Sequence, residues 1–121
     1  MDENKDDTYY LKRIVKYIDY ILEYMKVIKD NHSKLKPNDQ NSDGVIYKFI
    51  QLREESKNLS HDFLISNPKI NSSVQALNGF RNRLTHDYDN VSYSFFDEII
   101  DSDLPLLKTN ILKALKQLDS I

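Results

Sequence analysis

Residues 8–29 read TYYLKRIVKYIDYILEYMKVIK. Leu11, Ile14, Ile18, Ile21, Met25 and Ile28 recur there at alternating spacings of three and four. That is the seam of a helix packed in a bundle. Asp7 or Thr8 stands where a cap is needed. Tyr10, Tyr17 and Tyr24 repeat every seven residues beside the seam. They either cover the edge of the core with their hydroxyls in water or join a subunit interface, where tyrosine is common.

The rest of the chain extends this pattern. Residues 30–43, DNHSKLKPNDQNSD, are polar and hold a proline, which predicts a connecting loop with His32 solvated in it. A second helix is predicted from Asp43 to Phe63, with Ile46, Phe49, Leu52, Leu59 and Phe63 as its apolar stripe and small Ser56 in the middle. His61 falls near the C-terminal end of that helix, where a cation suits the dipole. Asn67-Pro68 breaks the chain. A third helix starts at Asn71 or Ser72 and carries Val74, Leu77, Phe80 and Leu84 on its apolar side. Gly79 sits inside it at a cost of ~1 kcal/mol relative to alanine, which marks a close approach by another backbone. After a turn at Asp89-Asn90 comes a short helix over 92–101 with Phe95, Phe96, Ile99 and Ile100. Asp103 then caps a last helix reaching Asp119, with Pro105 in its first turn and Leu104, Leu107, Ile111, Leu115 and Leu118 facing inward. No segment alternates with period two for long enough to be a strand, and there is no internal repeat. The expected fold is all-α: a four-helix bundle with a short additional helix before the last one, in a single domain over residues 1–121.

Bulk numbers agree and exclude several classes of function. At 121 residues the chain is long enough to bury a core. With 2 Gly and 3 Pro it is neither collagen-like nor low-complexity. The absence of cysteine removes disulfides and thiolate metal sites. No apolar run approaches the roughly 20 residues of a membrane span, and the acidic start MDENKDD is unlike a signal peptide. A cytoplasmic location is the expectation. A net charge of −2 argues against nucleic-acid binding over the whole surface, so any such contact belongs to a local patch.

One stretch does not read as an ordinary helix surface. RNRLTHDY, residues 81–88, holds two arginines, an asparagine, a histidine and a tyrosine but no lysine or glutamate. If the third helix continues through it, Asn82 and His86 share a face nearly opposite the apolar stripe, and Arg81, Thr85 and Tyr88 line one flank. A histidine moves protons near neutral pH, and an arginine presents a fork of donors matched to phosphate oxygens. Together they suit metal-free cleavage of RNA. One histidine is thin for a reaction that moves two protons, and a two-fold dimer joining two such faces would supply the second. The plain alternative is that Arg81 and His86 are simply solvated, since a match this short arises by chance.

The pattern R-N-x-x-x-H-x-Y on the third helix of a small all-α bundle resembles the HEPN superfamily. More narrowly it resembles the HepT-like toxins, partners of minimal nucleotidyltransferase (MNT) antitoxins. LREESKNLS at 52–60, GFRNRLTHDY at 79–88 and NVSYSFFDEIIDSDLPLLKTNI at 90–111 carry the resemblance. The first helix matches only in length and periodicity. The resemblance implies a HEPN-like fold and the toxin component of a type VII-like toxin–antitoxin system. It implies a metal-independent endoribonuclease without a cofactor, acting on RNA as a homodimer whose two motifs line one cleft. Arg81 and His86 correspond to the family's catalytic arginine and histidine, and Asn82 to the polar residue after the arginine. Tyr88 corresponds to the tyrosine that the cognate MNT antitoxin adenylylates (AMPylation). The chain departs from the family at Asp87, where glycine is frequent, and at Ser73-Val74, where Pro-Trp is frequent.

Two other readings of the same residues remain. One is a catalytically inactive bundle that holds a nucleotide or RNA for a nucleotidyltransferase. The other is a phosphotransfer bundle with an exposed helical histidine, but that expects Lys and Gly just after the histidine and gives Arg81 no role.

Overall fold

The six apolar residues of the opening stretch all point into one core. The computed structural model describes residues 6–30, 39–86 and 99–119, and for residues 80–86 the backbone helix alone. Its elements are α1 (Asp7–Asp30), α2 (Gln40–Ser56), α3 (His61–Ser66), α4 (Pro68–His86), a π-helical turn (Ile99–Asp103) and α5 (Leu104–Asp119). The described residues contain no strand, and the fold is an all-α, HEPN-like bundle. No helix among them is long and apolar enough to cross a membrane.

In α1, Leu11, Ile14, Ile18, Ile21, Met25 and Ile28 are all buried. Tyr10, Tyr17 and Tyr24 pack against the core half-buried. The cap is Asp6 rather than Asp7 or Thr8: its Oδ1 accepts the Tyr9 N–H at 3.1 Å. Asp7 is thereby left to reach another element. Its two carboxylate oxygens accept the Ser60 N–H and the Ser60 hydroxyl, each at 2.7 Å.

The helix expected over 43–63 is two helices. Asp39 caps α2, accepting the Ser42 N–H at 3.0 Å and the Ser42 hydroxyl at 2.9 Å, so α2 begins at Gln40. At its other end the buried Ser56 hydroxyl donates to the Arg53 carbonyl at 2.7 Å. Ser60 then caps α3, accepting the Phe63 N–H at 3.1 Å. Serines that bond the local backbone offer an alternative to the helix ladder, and here that alternative ends one helix and starts another. The apolar stripe survives the break, because Leu59 and Phe63 stay in the core. His61 is thus not at a helix C-terminus. It is the first residue of α3 and exposed, at the end where the dipole disfavours a cation.

α4 begins at Pro68 itself, three residues before the expected start. Proline fits the first helical position, since its missing N–H has no partner there, and the Asn71 N–H donates to the Asn67 carbonyl at 3.0 Å. The extra turn brings Ile70 into the core beside Val74 and Leu77. The side chains of Phe80 and Leu84 lie outside the described residues. Among the described residues no backbone of the same chain approaches Gly79: a Cβ built there meets nothing within 4 Å. The close approach is at Gly44, where a Cβ would meet the Tyr24 ring at 3.2 Å.

The π-helical turn leads straight into α5, with Ile100 buried and Asp103 as its last residue. Residues 92–98 of the expected short helix, including Phe95 and Phe96, lie outside the described residues, as does His32. In α5, Leu104, Leu107 and Ile111 are buried and Leu115 packs half-buried. Leu118 does not face inward. It is 36% exposed, and Ala114 takes the place in the core that the apolar spacing assigned further along.

The order of the helices around the core follows from their contacts. α1 packs against α2 and α5, and α4 closes the ring between α2 and α5. Arg13 meets Glu55 at 2.9 Å while Tyr24 covers Gly44, so α1 and α2 are antiparallel. Lys29 meets Asp101 at 2.7 Å and Asp19 meets Lys108 at 2.6 Å, so α1 and α5 are antiparallel as well. One groove joins Pro68 and Lys69 at the start of α4 to Lys113 and Gln117 late in α5, and another joins Leu77 to Leu104. α4 therefore opposes α5 and, in turn, α2.

Candidate active site on helix α4

α4 stays helical through His86. Arg81, Asn82 and His86 therefore lie on one unbroken element, with Asn82 and His86 four residues and about one turn apart. Their side chains are outside the described residues, and Tyr88 lies beyond them altogether. The structure places the backbone of the motif, not the meeting of its functional groups.

The base of the motif is described in full. Asn78 stands three residues before Arg81 and four before Asn82, on the flank of α4 that faces α2. Its Oδ1 accepts the Nε–H of Arg53 at 2.9 Å. The Arg53 side chain is only 15% exposed, so its direction is set by packing rather than by solvent. Its Nη1 donates to Glu54 at 3.1 Å, and Lys57 meets the other oxygen of Glu54 at 3.6 Å. A guanidinium has five N–H donors, and these bonds engage two of its nitrogens. The late part of α2 thus sets a second, ordered arginine one turn from Arg81.

Neither Arg53 nor Asn78 was singled out by periodicity, because both read as ordinary polar positions beside an apolar stripe. The only signal in the sequence was that Arg53 lies within LREESKNLS, one of the segments carrying the family resemblance.

Two further grooves share Ser66, Asn67, Ala114 and Gln117 and lie at the opposite end of α4 from the motif. One is lined by the acids Asp7 and Asp62 and the other by Lys69 and Lys113, and no histidine or arginine lines either.

No solved structure matches the chain at a significant level. A family match covers most of the sequence: residues 10–114 fit the ribonuclease HepT-like model, which takes in α1 through most of α5 and the whole of 81–88. On the all-α bundle and this match together, the chain belongs to the HepT-like ribonuclease family of the HEPN superfamily.

Proposed function

We propose that the chain is the toxin half of a type VII-like toxin–antitoxin pair, a metal-independent endoribonuclease with its active centre on α4. The observation that carries this reading is the unbroken helix through Arg81–His86, in a chain of the HepT-like family. In this reading His86 takes the proton of the RNA 2′-hydroxyl. The 2′-oxygen attacks phosphorus, and the 5′-oxygen leaves with a proton, giving a 2′,3′-cyclic phosphate and a free 5′-hydroxyl. Arg81 holds the charge that gathers on the phosphoryl oxygens, and Asn82 orients the reacting groups. The second proton transfer belongs to His86 of a second copy, across a two-fold axis. Support for a homodimer comes from the outer surface of α4, where exposed Gln75 and Gly79 leave the helix backbone open to another chain.

The test is cleavage of total RNA by the purified protein, with and without EDTA, beside His86→Ala. Cleavage that persists in EDTA, ends in cyclic phosphate and disappears in the variant is the expected result. Loss in EDTA and rescue by a divalent ion would refute the histidine mechanism. No cleavage by the wild-type chain would favour the inactive, RNA-holding partner of a nucleotidyltransferase, the reading that Asp87 beside His86 also suits.

Control belongs to Tyr88. Transfer of an adenylyl group from ATP forms a bond between the tyrosine oxygen and the α-phosphorus and releases pyrophosphate. The new phosphodiester competes with RNA phosphate for Arg81. Such a charge-assisted contact is worth ~1.5–3 kcal/mol, about tenfold or more in binding. Co-expression with a cognate MNT-type nucleotidyltransferase should add mass in adenylyl units at Tyr88 and abolish cleavage. Full neutralisation of Tyr88→Phe at unchanged mass would assign control to binding alone.

A further inference from the structure

Across α1 and α2, on the face away from α5, tyrosines and cations alternate. Tyr20 is 37% exposed and Tyr47 60%, although exposed helix positions in a small bundle are usually filled by charged or small residues. The Lys48 ammonium lies 5.0 Å from the centre of the Tyr20 ring, 5.6 Å from that of Tyr17 and 6.0 Å from that of Tyr47. Lys16 lies 5.8 Å from the centre of the Tyr20 ring. Ring and cation therefore follow one another from α1 onto α2.

Lys16 and Lys48 meet tyrosine rings on this face rather than carboxylates. Arg13 meets Glu55, Lys29 meets Asp101, Arg53 and Lys57 share Glu54, and Lys108 meets Asp19. Arg13 is held firmly in that arrangement, since the Glu55 hydrogen bond raises its pKa above the ordinary value against a smaller cost of desolvation. Lys16 and Lys48 have no ion pair among the described residues, only the tyrosine rings. An exposed ring face can stack an unpaired base, and a lysine beside it can meet the adjoining phosphate.

Its position fits the motif. α2 and α4 are antiparallel and joined by Arg53 and Asn78. From that contact Tyr47 lies six residues back along α2, about 9 Å at 1.5 Å per residue. Arg81–His86 lie forward along α4, toward the same end of the bundle. α2 packs against both α1 and the helix that carries the motif.

We propose that this face is a track for single-stranded RNA, with bases stacked on Tyr20 and Tyr47 and phosphates held by Lys16 and Lys48, leading the strand over α2 to the motif. The proposal rests on the ribonuclease reading for what happens at the end of the track, but not for the binding itself.

The test uses the full chain carrying His86→Ala and a labelled single-stranded RNA long enough to cross α2, read by fluorescence anisotropy. Tyr20→Ala with Tyr47→Ala should weaken binding about tenfold or more. The paired Phe substitutions, which keep the ring faces, should bind as the parent does. Lys16→Ala with Lys48→Ala should weaken binding and flatten its salt dependence. In the chain with His86 intact, Tyr47→Ala should leave cleavage of a dinucleotide unchanged while slowing that of the long strand. RNA affinity unaltered by the alanine pair, or lost equally in the phenylalanine pair, overturns the proposal. So does a variant that keeps its RNA affinity but escapes neutralisation by the nucleotidyltransferase, since the face would then belong to a protein partner. If the wild-type chain binds RNA through these residues yet cleaves nothing, the track stands and the ribonuclease reading falls.

Discussion

α1 and α4 are the two longest helices, of 24 and 19 residues, and they spend their length differently. α1 buries a residue at every step of its seam, from Leu11 to Ile28. Four of its outer polar groups are tied to other elements, through Asp7–Ser60, Arg13–Glu55, Asp19–Lys108 and Lys29–Asp101. α4 buries Ile70, Val74 and Leu77 in its first half, then carries two arginines, an asparagine and a histidine in its second. Among the described residues, its one side-chain hydrogen bond to another helix is Asn78 to Arg53. One helix holds the bundle together at every turn. The other is anchored through its first half, and in the function proposed above its second half carries the active centre.

The comparison breaks first at the motif. His86→Ala or Arg81→Ala should lower RNA cleavage by about 10²–10⁴-fold while moving the unfolding free energy by no more than ~0.5 kcal/mol, the range for surface substitutions. Cleavage assays beside urea unfolding check both halves. A large loss of stability would mean that the second half of α4 is structural after all.

Core positions should behave in the opposite way. Phe49 is fully buried where α2 meets the core around α1. Phe49→Ala should destabilise by ~3–5 kcal/mol, and cleavage measured on the folded fraction should be retained. Thermal melts with activity assays well below the midpoint separate the two effects.

The Asp7–Ser60 contact gives a smaller effect. Ser60→Ala removes the α3 cap and the partner of Asp7 together, at ~1 kcal/mol for a lost cap. Asp7→Ala should cost a similar amount. Because the two share their hydrogen bonds, the double variant should fall short of the sum of the singles. Additive effects would show that the start of α1 and the α2–α3 turn act independently.

The two glycines sharpen the comparison with the smallest change. Gly79→Ala should stabilise the isolated chain by ~0.5–1 kcal/mol, since a Cβ there meets nothing within 4 Å. Gly44→Ala should gain less or nothing, because its Cβ presses on the Tyr24 ring at 3.2 Å. If a second copy lies against α4, light scattering should show Gly79→Ala weakening the dimer even as unfolding shows the chain stabilised.

Much of this was legible in the order of residues. A three-four spacing of large apolar side chains has one economical solution, so α1 and the buried face of α5 as far as Ile111 came out as expected. So did the helical character of the stretch through Arg81, Asn82 and His86, together with the family to which its pattern belongs. What the sequence left open were choices between near-equal local partners. Ser60 sits as well within a helix as at its start, and the Asp7 carboxylate 53 positions away favours the second. The sequence pointed to Asp7 or Thr8 as the cap of α1, whereas Ser60 engages Asp7 and the cap is Asp6. Gly44 and Gly79 look alike on paper, and only the packing of α1 on α2 set a ring over the first and left the second open. Arg53 became part of the motif's surroundings because α2 and α4 run in opposite directions side by side. Periodicity acts over a few residues and is written in the chain. Which polar group finds which partner depends on distances that exist only once the helices have packed.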